Sequence, residues 1–265
     1  MSSASAPGSS ANLGPGYDVL ALALDLRCRV TVSASEEWSI LSGGAPADHL
    51  GVSMVKRTAA MAAPGAGPLT VSIESEIPLA RGLGSSAALI AATAGAARGL
   101  VGGSTDPLDL LPIAAEIEGH PDNVAAALLG GLIAVGPGGE VRSLEIHPSL
   151  QMLVAVPDAT LRTDEARKAT AAPVSTSVAS RTAARLAMLV EGLRMADPAA
   201  LAAAAGDELH EERRASLSPI TGRMIGAARR AGALHACWSG AGPSVLAVVT
   251  RATADSVRSA LSDAG

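Results

Sequence analysis

"PLARGLGSSAALIAA", residues 78–92, sets two glycines and two serines between a proline and a run of small apolar residues. Bare backbone at the mouth of a helix suits an anion. The first N–H groups of a helix lack an intrahelical partner, the helix dipole adds positive potential there, and glycine lets a phosphate approach the chain closely. Other readings stay open. "GLGSSA" also satisfies the Gly-x-Gly-x-x-Ala form of a dinucleotide fingerprint, although no convincing second strand with an acid at its tip follows about 20 residues on. It lacks the Gly-Lys-Ser/Thr end of a Walker loop, and a plain strand-to-helix turn would look similar. The paired serines favour phosphate, because their hydroxyls fall where phosphate oxygens and a metal would sit.

Outward from this turn, "LTVSIESEI" (69–77) alternates as a strand and Pro78 ends it. "VLALALDLRCRVTVS" (19–33) reads as strand, followed by a turn and a second strand. From Ser85 to Leu100 the residues are too small and apolar for a surface helix, so this helix is predicted to be central. Pro107 opens a helix through about Glu118, "GHPDN" breaks it, and "GPGG" at 136–139 is a hairpin turn. After about residue 148 the order becomes strand, helices, strand, helix, which predicts a second α+β layer and a domain boundary there.

The chain has 265 residues, enough for one large domain or two modest ones. Hydrophobic residues make up 48% and charged ones 17%, with no Phe and one Tyr, so the core is expected to be filled by small aliphatics. A net charge of -5 with almost no aromatics argues against a nucleic-acid surface. No apolar stretch reaches the ~18 residues of a membrane span, and the N-terminus "MSSASAPGSS" lacks signal-peptide features, so a cytoplasmic protein is expected. Cys28 and Cys237 are in no metal-ligand spacing and read as buried thiols.

Three further segments carry chemistry-bearing residues. "AEIEGHPDN" (115–123) holds Glu116, Glu118, His120, Asp122 and Asn123, a density that suits a hard cation beside a phosphate, or an ordinary hydrogen-bonded turn. "SSANLGPGYDVLALAL" (9–24) and "SGAGPSVLAV" (from Ser239) each read alone as a glycine turn before a strand.

Taken in order, "SSANLGPGYDVLALAL", "PLARGLGSSAAL", "EGHPDNVAAALLGG" and "SGAGPSVLAV" resemble the GHMP superfamily of small-molecule kinases, and the third segment looks most like its homoserine kinases. The resemblance implies an α+β, two-domain fold: an N-terminal ribosomal-protein-S5-like domain, residues 1–148, and a C-terminal ferredoxin-like domain, residues 149–265. It implies ATP and Mg2+ as cofactors. Gly82, Leu83, Gly84, Ser85, Ser86 and Ala87 would wrap the phosphates, with Pro78 and Arg81 at the loop's entrance. Ser86 and Glu116, rather than Glu118, would hold the magnesium. Asn12, Asp18, His120, Arg167 and Arg214 fall at the acceptor positions, the arginines to fork a carboxylate and Asp18 to pair an ammonium. On sequence alone Arg167 could equally lie on a solvated helix face and Arg214 in a plain Glu-Glu-Arg-Arg run. Asn123 stands where several relatives carry an aspartate. An amide cannot be a base, so transfer without a strong protein base is implied, with Asp122 next door as the rival.

The chain departs from the family pattern in places. It starts with "MSSASAPG" where an apolar strand is usual, so a clipped first strand is expected. Tyr17 replaces a Phe, and "KATAAPVSTSVAS" (168–180) matches poorly. L-Homoserine is the expected acceptor, another small alcohol the alternative; a silent nucleotide-binding module and a dehydrogenase are the remaining rivals. The family often looks dimeric, which leaves a homodimer open.

Overall fold

Small residues open the chain, yet they form a full strand, β1 (Ser2–Asn12), against β2 (Gly16–Ala34). The clipped first strand is therefore corrected: Ser, Ala and Gly satisfy a ladder through their backbone and need no bulk to be buried. β2 is one continuous strand, not two. In it Cys28, Val30 and Val32 are buried while Arg27 and Arg29 are exposed, the period-2 pattern of a half-covered sheet. The computed structural model describes the backbone of residues 1–265 and the side chains of all but residues 49 and 50.

Next come β3 (Ser39–Ser42), β4 (Ala45–Pro46), α1 (His49–Ala62) and β5 (Leu69–Ser75). Helices α2 (Ser85–Leu100), α3 (Pro107–Glu118) and α4 (Pro121–Leu129) follow, then β6 (Leu132–Val135) and β7 (Val141–Leu144). The sheet order is β4-β3-β5-β2-β6-β7, with β1 on β2. β2 and β5 are antiparallel with Val30 opposite Ile73 and Val32 opposite Val71, so their buried side chains share one face. Helix α2 is central as predicted: nearly every residue from Ala87 to Ala97 is buried, and it packs against α1, α3 and α4. Its alanines and glycines let those helices approach closely, and truncating Ile90 there would cost about 2–5 kcal/mol. The "GPGG" hairpin joins β6 and β7, with Gly136 N–H on the Glu140 carbonyl at 2.7 Å.

The rest of the chain forms β8 (Leu150–Ala155), α5 (Thr163–Thr170), α6 (Thr176–Met195), α7 (Pro198–Ala203), α8 (Glu211–Arg214), α9 (Pro219–Arg230), β9 (His235–Trp238), β10 (Val245–Thr250) and α10 (Ala254–Ala264). The antiparallel sheet β8-β10-β9 packs on α9 and α10. Its core includes Met224, Trp238, Val249, Val257 and Leu261.

By packing, the molecule has two units, each discontinuous along the chain. Residues 1–9, 21–78 and 84–141 form the first; residues 10–20, 79–83 and 142–265 form the second. Where the sequence suggested a single boundary near 148, packing also assigns two early segments to the second unit. They carry the glycine turns at 12–16 and 80–83; the Ala11 carbonyl accepts the Gly240 N–H, and the Gly82 carbonyl accepts from Ser239 Oγ.

Candidate active site

In the first unit, Gly84 caps α2 in the left-handed region (φ 64) and Ser85 is the first helical residue. The first turn carries no acidic side chain and the cap makes no side-chain bond, so the N–H groups of Ser85, Ser86 and Ala87 have no intrahelical acceptor. Unpartnered N–H groups at a helix start are what an anion seat would need.

The carboxylate beside that seat is Glu118. Ser86 Oγ donates to Glu118 Oε1 at 2.6 Å. Glu116, expected there, instead faces Arg57 at 3.9 Å with its side chain 65% exposed. Two residues along a helix lie about 200° apart, so only one of the pair can face α2. Ser86 and Glu118 offer hard oxygen donors in contact, which fits a magnesium ion that keeps its waters and takes few protein ligands. Among the described residues no group of three or more His, Cys, Asp and Glu is placed to hold a metal by itself.

After Glu118 the chain reverses through Gly119 (φ 86) and starts α4 with His120 at the N-cap and Pro121 next. Asp122 is 1% exposed, and its Oδ1 accepts the Asn123 backbone N–H at 2.8 Å and lies 3.4 Å from His120 Nδ1. The carboxylate therefore serves the first turn of its own helix. Asn123 is half-buried, and its Oδ1 accepts from Ser9 Oγ at 2.8 Å.

In the second unit, the 12–18 loop is held in an unusual shape: Asn12 (φ 73), Leu13 (φ 49) and Asp18 (φ 54) are left-handed without being glycine. Asn12 explains part of this. Its Oδ1 accepts from Asp18 N–H at 3.1 Å and its Nδ2 donates to the Gly240 carbonyl at 2.9 Å. The residue expected to touch substrate thus braces the loop that presents Asp18. Gly82 (φ 71) packs on the 239–242 turn so closely that a Cβ would lie 2.2 Å from the Ser239 carbonyl, and Ser239 Oγ donates to the Gly82 carbonyl at 2.8 Å. Leu83 is buried, and Arg81 is committed to the Pro157 carbonyl.

Asp18 and Arg167 come together. Arg167 donates Nη2 to Asp18 Oδ1 at 2.8 Å and Nη1 to Oδ2 at 3.4 Å, both side chains being 37% exposed. Arg214 belongs to the same group and is not part of a solvated charge run. It is 2% exposed and donates to the carbonyls of Ala166 and Gly240, each at 3.2 Å. Its guanidinium lies 5.3 Å from the Tyr17 ring centre and that of Arg167 6.0 Å, so the aromatic face carries both cations. The Tyr17 hydroxyl meets Thr170 Oγ1 at 3.3 Å.

Beneath them lies a buried polar cluster that the sequence reading missed. His210 Nε2 meets the Gly14 carbonyl at 2.8 Å and His210 Nδ1 faces Arg214 Nη1 at 3.2 Å. A carbonyl only accepts and a guanidinium only donates, so these partners select the neutral imidazole with its proton on Nε2. Burial holds the His210 imidazole down to about 4. Asp207 Oδ2 accepts the backbone N–H of His210 at 2.7 Å and of Glu211 at 3.1 Å. Glu211 in turn accepts the Trp238 N–H at 2.7 Å, and burial pushes its carboxyl up to about 7. One signal was visible: positions 207, 210, 211 and 214 fall at i, i+3, i+4 and i+7, a polar stripe at helical spacing.

Comparison with known proteins bears on the family and the fold. Residues 52–131 match the family model described as GHMP kinases N terminal domain, and residues 189–265 match GHMP kinases C terminal. The chain is similar to the homoserine kinase of Desulfitobacterium hafniense, 38% identical over 267 residues that cover 97% of this chain and 90% of that protein. It is 40% identical to the homoserine kinase of Clavibacter michiganensis over 255 residues, 91% of this chain and 80% of the relative. Among solved structures, the homoserine kinase from Cytophaga hutchinsonii matches at TM-score 0.86 and 30% identity, covering 100% of this chain and 90% of that one.

Proposed function

The chain belongs to the GHMP kinase family, and from that premise we propose that it transfers the terminal phosphoryl group of ATP to the side-chain hydroxyl of L-homoserine, making O-phospho-L-homoserine on the way to threonine. One observation carries the choice of acceptor: Asp18, Arg167 and Arg214 gather around Tyr17, presenting both signs of charge to a small zwitterion. Asp18 pairs the ammonium and the Arg167 fork takes the carboxylate, with the charge of the buried Arg214 beside it.

The phosphates of ATP sit on the N–H groups of Ser85, Ser86 and Ala87 at the start of α2. Ser86 and Glu118 would hold a magnesium ion, which would supply positive charge to neutralise the phosphates. Asn123 orients the acceptor hydroxyl but takes no proton from it, because an amide is not a base. Phosphoryl transfer passes through a loose transition state, so positioning and charge neutralisation supply most of the rate, and the proton leaves late toward phosphate or water. The burial of Asp122 and its bond to the Asn123 N–H favour this account over general-base catalysis. Cys28 and Cys237 are free buried thiols, which fits a reducing compartment, and we place the enzyme in the cytoplasm.

The test is ADP release by the purified protein with ATP and magnesium, comparing L-homoserine with L-serine, L-threonine, mevalonate and galactose. Selective turnover with homoserine is expected. Turnover of another alcohol with none for homoserine would move the reading to that acceptor.

A further inference from the structure

We infer that Ser9 is a positioning residue for phosphoryl transfer: its hydroxyl holds the Asn123 amide in one orientation and seats that amide against the cap of the phosphate-binding helix. The inference rests on the reading of Asn123 as the group that orients the acceptor hydroxyl.

Ser9 lies in β1 and is completely buried. Its Oγ is 2.8 Å from Asn123 Oδ1 and 3.5 Å from the Asn123 carbonyl oxygen. A serine has one proton to donate, and the side-chain contact is the shorter, so the proton goes to Oδ1. The other end of the amide is set independently. Asn123 Nδ2 lies 3.5 Å from Asp122 Oδ1, an oxygen that also accepts the Asn123 backbone N–H at 2.8 Å. A carboxylate accepts and does not donate, so the nitrogen belongs on the Asp122 side and the oxygen on the Ser9 side. With both ends assigned, one amide N–H and one carbonyl lone pair remain for an incoming hydroxyl.

The second half of the inference is the contact with Gly84. A Cβ on Gly84 would lie 2.2 Å from Ser9 Oγ, 3.0 Å from Ser9 N and 3.1 Å from Asn123 Oδ1. The cap of α2, the Ser9 hydroxyl and the Asn123 amide are thus in mutual van der Waals contact, with glycine the only residue that leaves room for the other two. Terminal amide torsions are broad and two-fold. Without the Ser9 hydroxyl only the long 3.5 Å contact with Asp122 holds the amide, which can then turn over and present the wrong atom to the acceptor, while the N–H groups of α2 stay as they are.

The experiment is a double-mutant cycle on kcat with Ser9→Ala, Asn123→Ala and the double variant, each also melted with and without ATP and magnesium. Ser9→Ala is expected to lower kcat roughly 10- to 100-fold, the loss that small misplacement brings. Its KM for ATP and the ATP-dependent rise in Tm should stay unchanged, and the double variant should turn over no more slowly than Asn123→Ala. A Ser9→Ala penalty of the same factor in the Asn123→Ala background would overturn the inference, since Ser9 would then act independently of the amide. Normal kcat for Ser9→Ala beside an impaired Asn123→Ala would overturn it too, leaving the role of Asn123 intact. Normal kcat for Asn123→Ala would remove the premise itself and the inference with it. Should Ser9→Ala lose its cooperative melt, Ser9→Cys, close in size with only a weak donor, replaces it under the same outcomes.

Discussion

Ser86 Oγ and Glu118 Oε1 lie 2.6 Å apart, joining the first turn of one helix to the last residue of another. On the proposed reading, Glu118→Gln removes the charge that would hold the magnesium, and turnover is expected to fall at least ~100-fold with ATP and magnesium saturating. Glu116→Gln loses only an exposed contact with Arg57 and should keep near-normal turnover. The reverse pattern in an ADP-release assay would return the metal to Glu116.

Arg167 and Arg214 should fail differently. Arg167 is 37% exposed, so Arg167→Ala is expected to raise the homoserine KM roughly 10- to 100-fold with little change in Tm, and Arg167→Lys to recover only part because it lacks the fork. Arg214→Ala leaves the Ala166 and Gly240 carbonyls and His210 Nδ1 without a buried donor. It should cost about 3 kcal/mol of stability as well as raising KM, lowering Tm by roughly 6–12 °C. An Arg214→Ala protein melting like the parent would mean the guanidinium does not bind those acceptors.

Gly82 and Gly102 both have positive φ, at 71° and 70°. A Cβ at Gly102 meets open space, while one at Gly82 would lie 2.2 Å from the Ser239 carbonyl oxygen. Gly102→Ala should therefore cost only the backbone strain, about 1 kcal/mol. Gly82→Ala must also displace the 239–242 turn, so a cost of about 3 kcal/mol or more is expected. Equal urea midpoints for the two variants would contradict the close approach.

Stability should peak near pH 6.5 because of three buried titratable groups, His210, His235 and Glu211. Burial holds His210 and His235 down to about 4, from an ordinary 6.5. Between those values the unfolded chain binds two protons that the folded chain refuses, so their contribution is full above 6.5 and is lost as pH falls toward 4. Glu211 works in the opposite sense: burial raises its carboxyl from 4.5 to about 7, so its contribution is full below 4.5 and is lost as pH rises through 7. Between 4.5 and 6.5 the balance is one proton, and acidification should remove about 1.4 kcal/mol per pH unit. Glu211→Gln cancels the opposing carboxyl, so the slope over that window should roughly double. An unchanged slope in urea titrations would show that Glu211 is already ionised when folded.

Local signals made most elements readable. Gly84 before Ser85, Pro107 behind a capping aspartate and Gly119 at a helix end act within a turn, so the limits of α2 and α3 follow from their neighbours alone. β1 was misjudged because strand was inferred from bulk, and "SSASAPGSSAN" has none; its partner β2 supplies what the segment itself does not show. Arg214 sits in a run of charges that in isolation describes a wet surface, and only the carbonyls of Ala166 and Gly240 reveal it as buried.

The sequence by itself determined the family, the central helix α2 and the turns that bound it, because each depends on short-range patterns or on motifs kept in order along the chain. The tertiary structure decided which member of each set faces inward: Glu118 and not Glu116, Arg214 beside Arg167 on Tyr17, Asn12 as a brace for Asp18, and Ser9 on Asn123. Those choices depend on the angle at which one element meets another. A helix turns about 100° per residue, so an error of one or two positions exchanges the buried face for the exposed one.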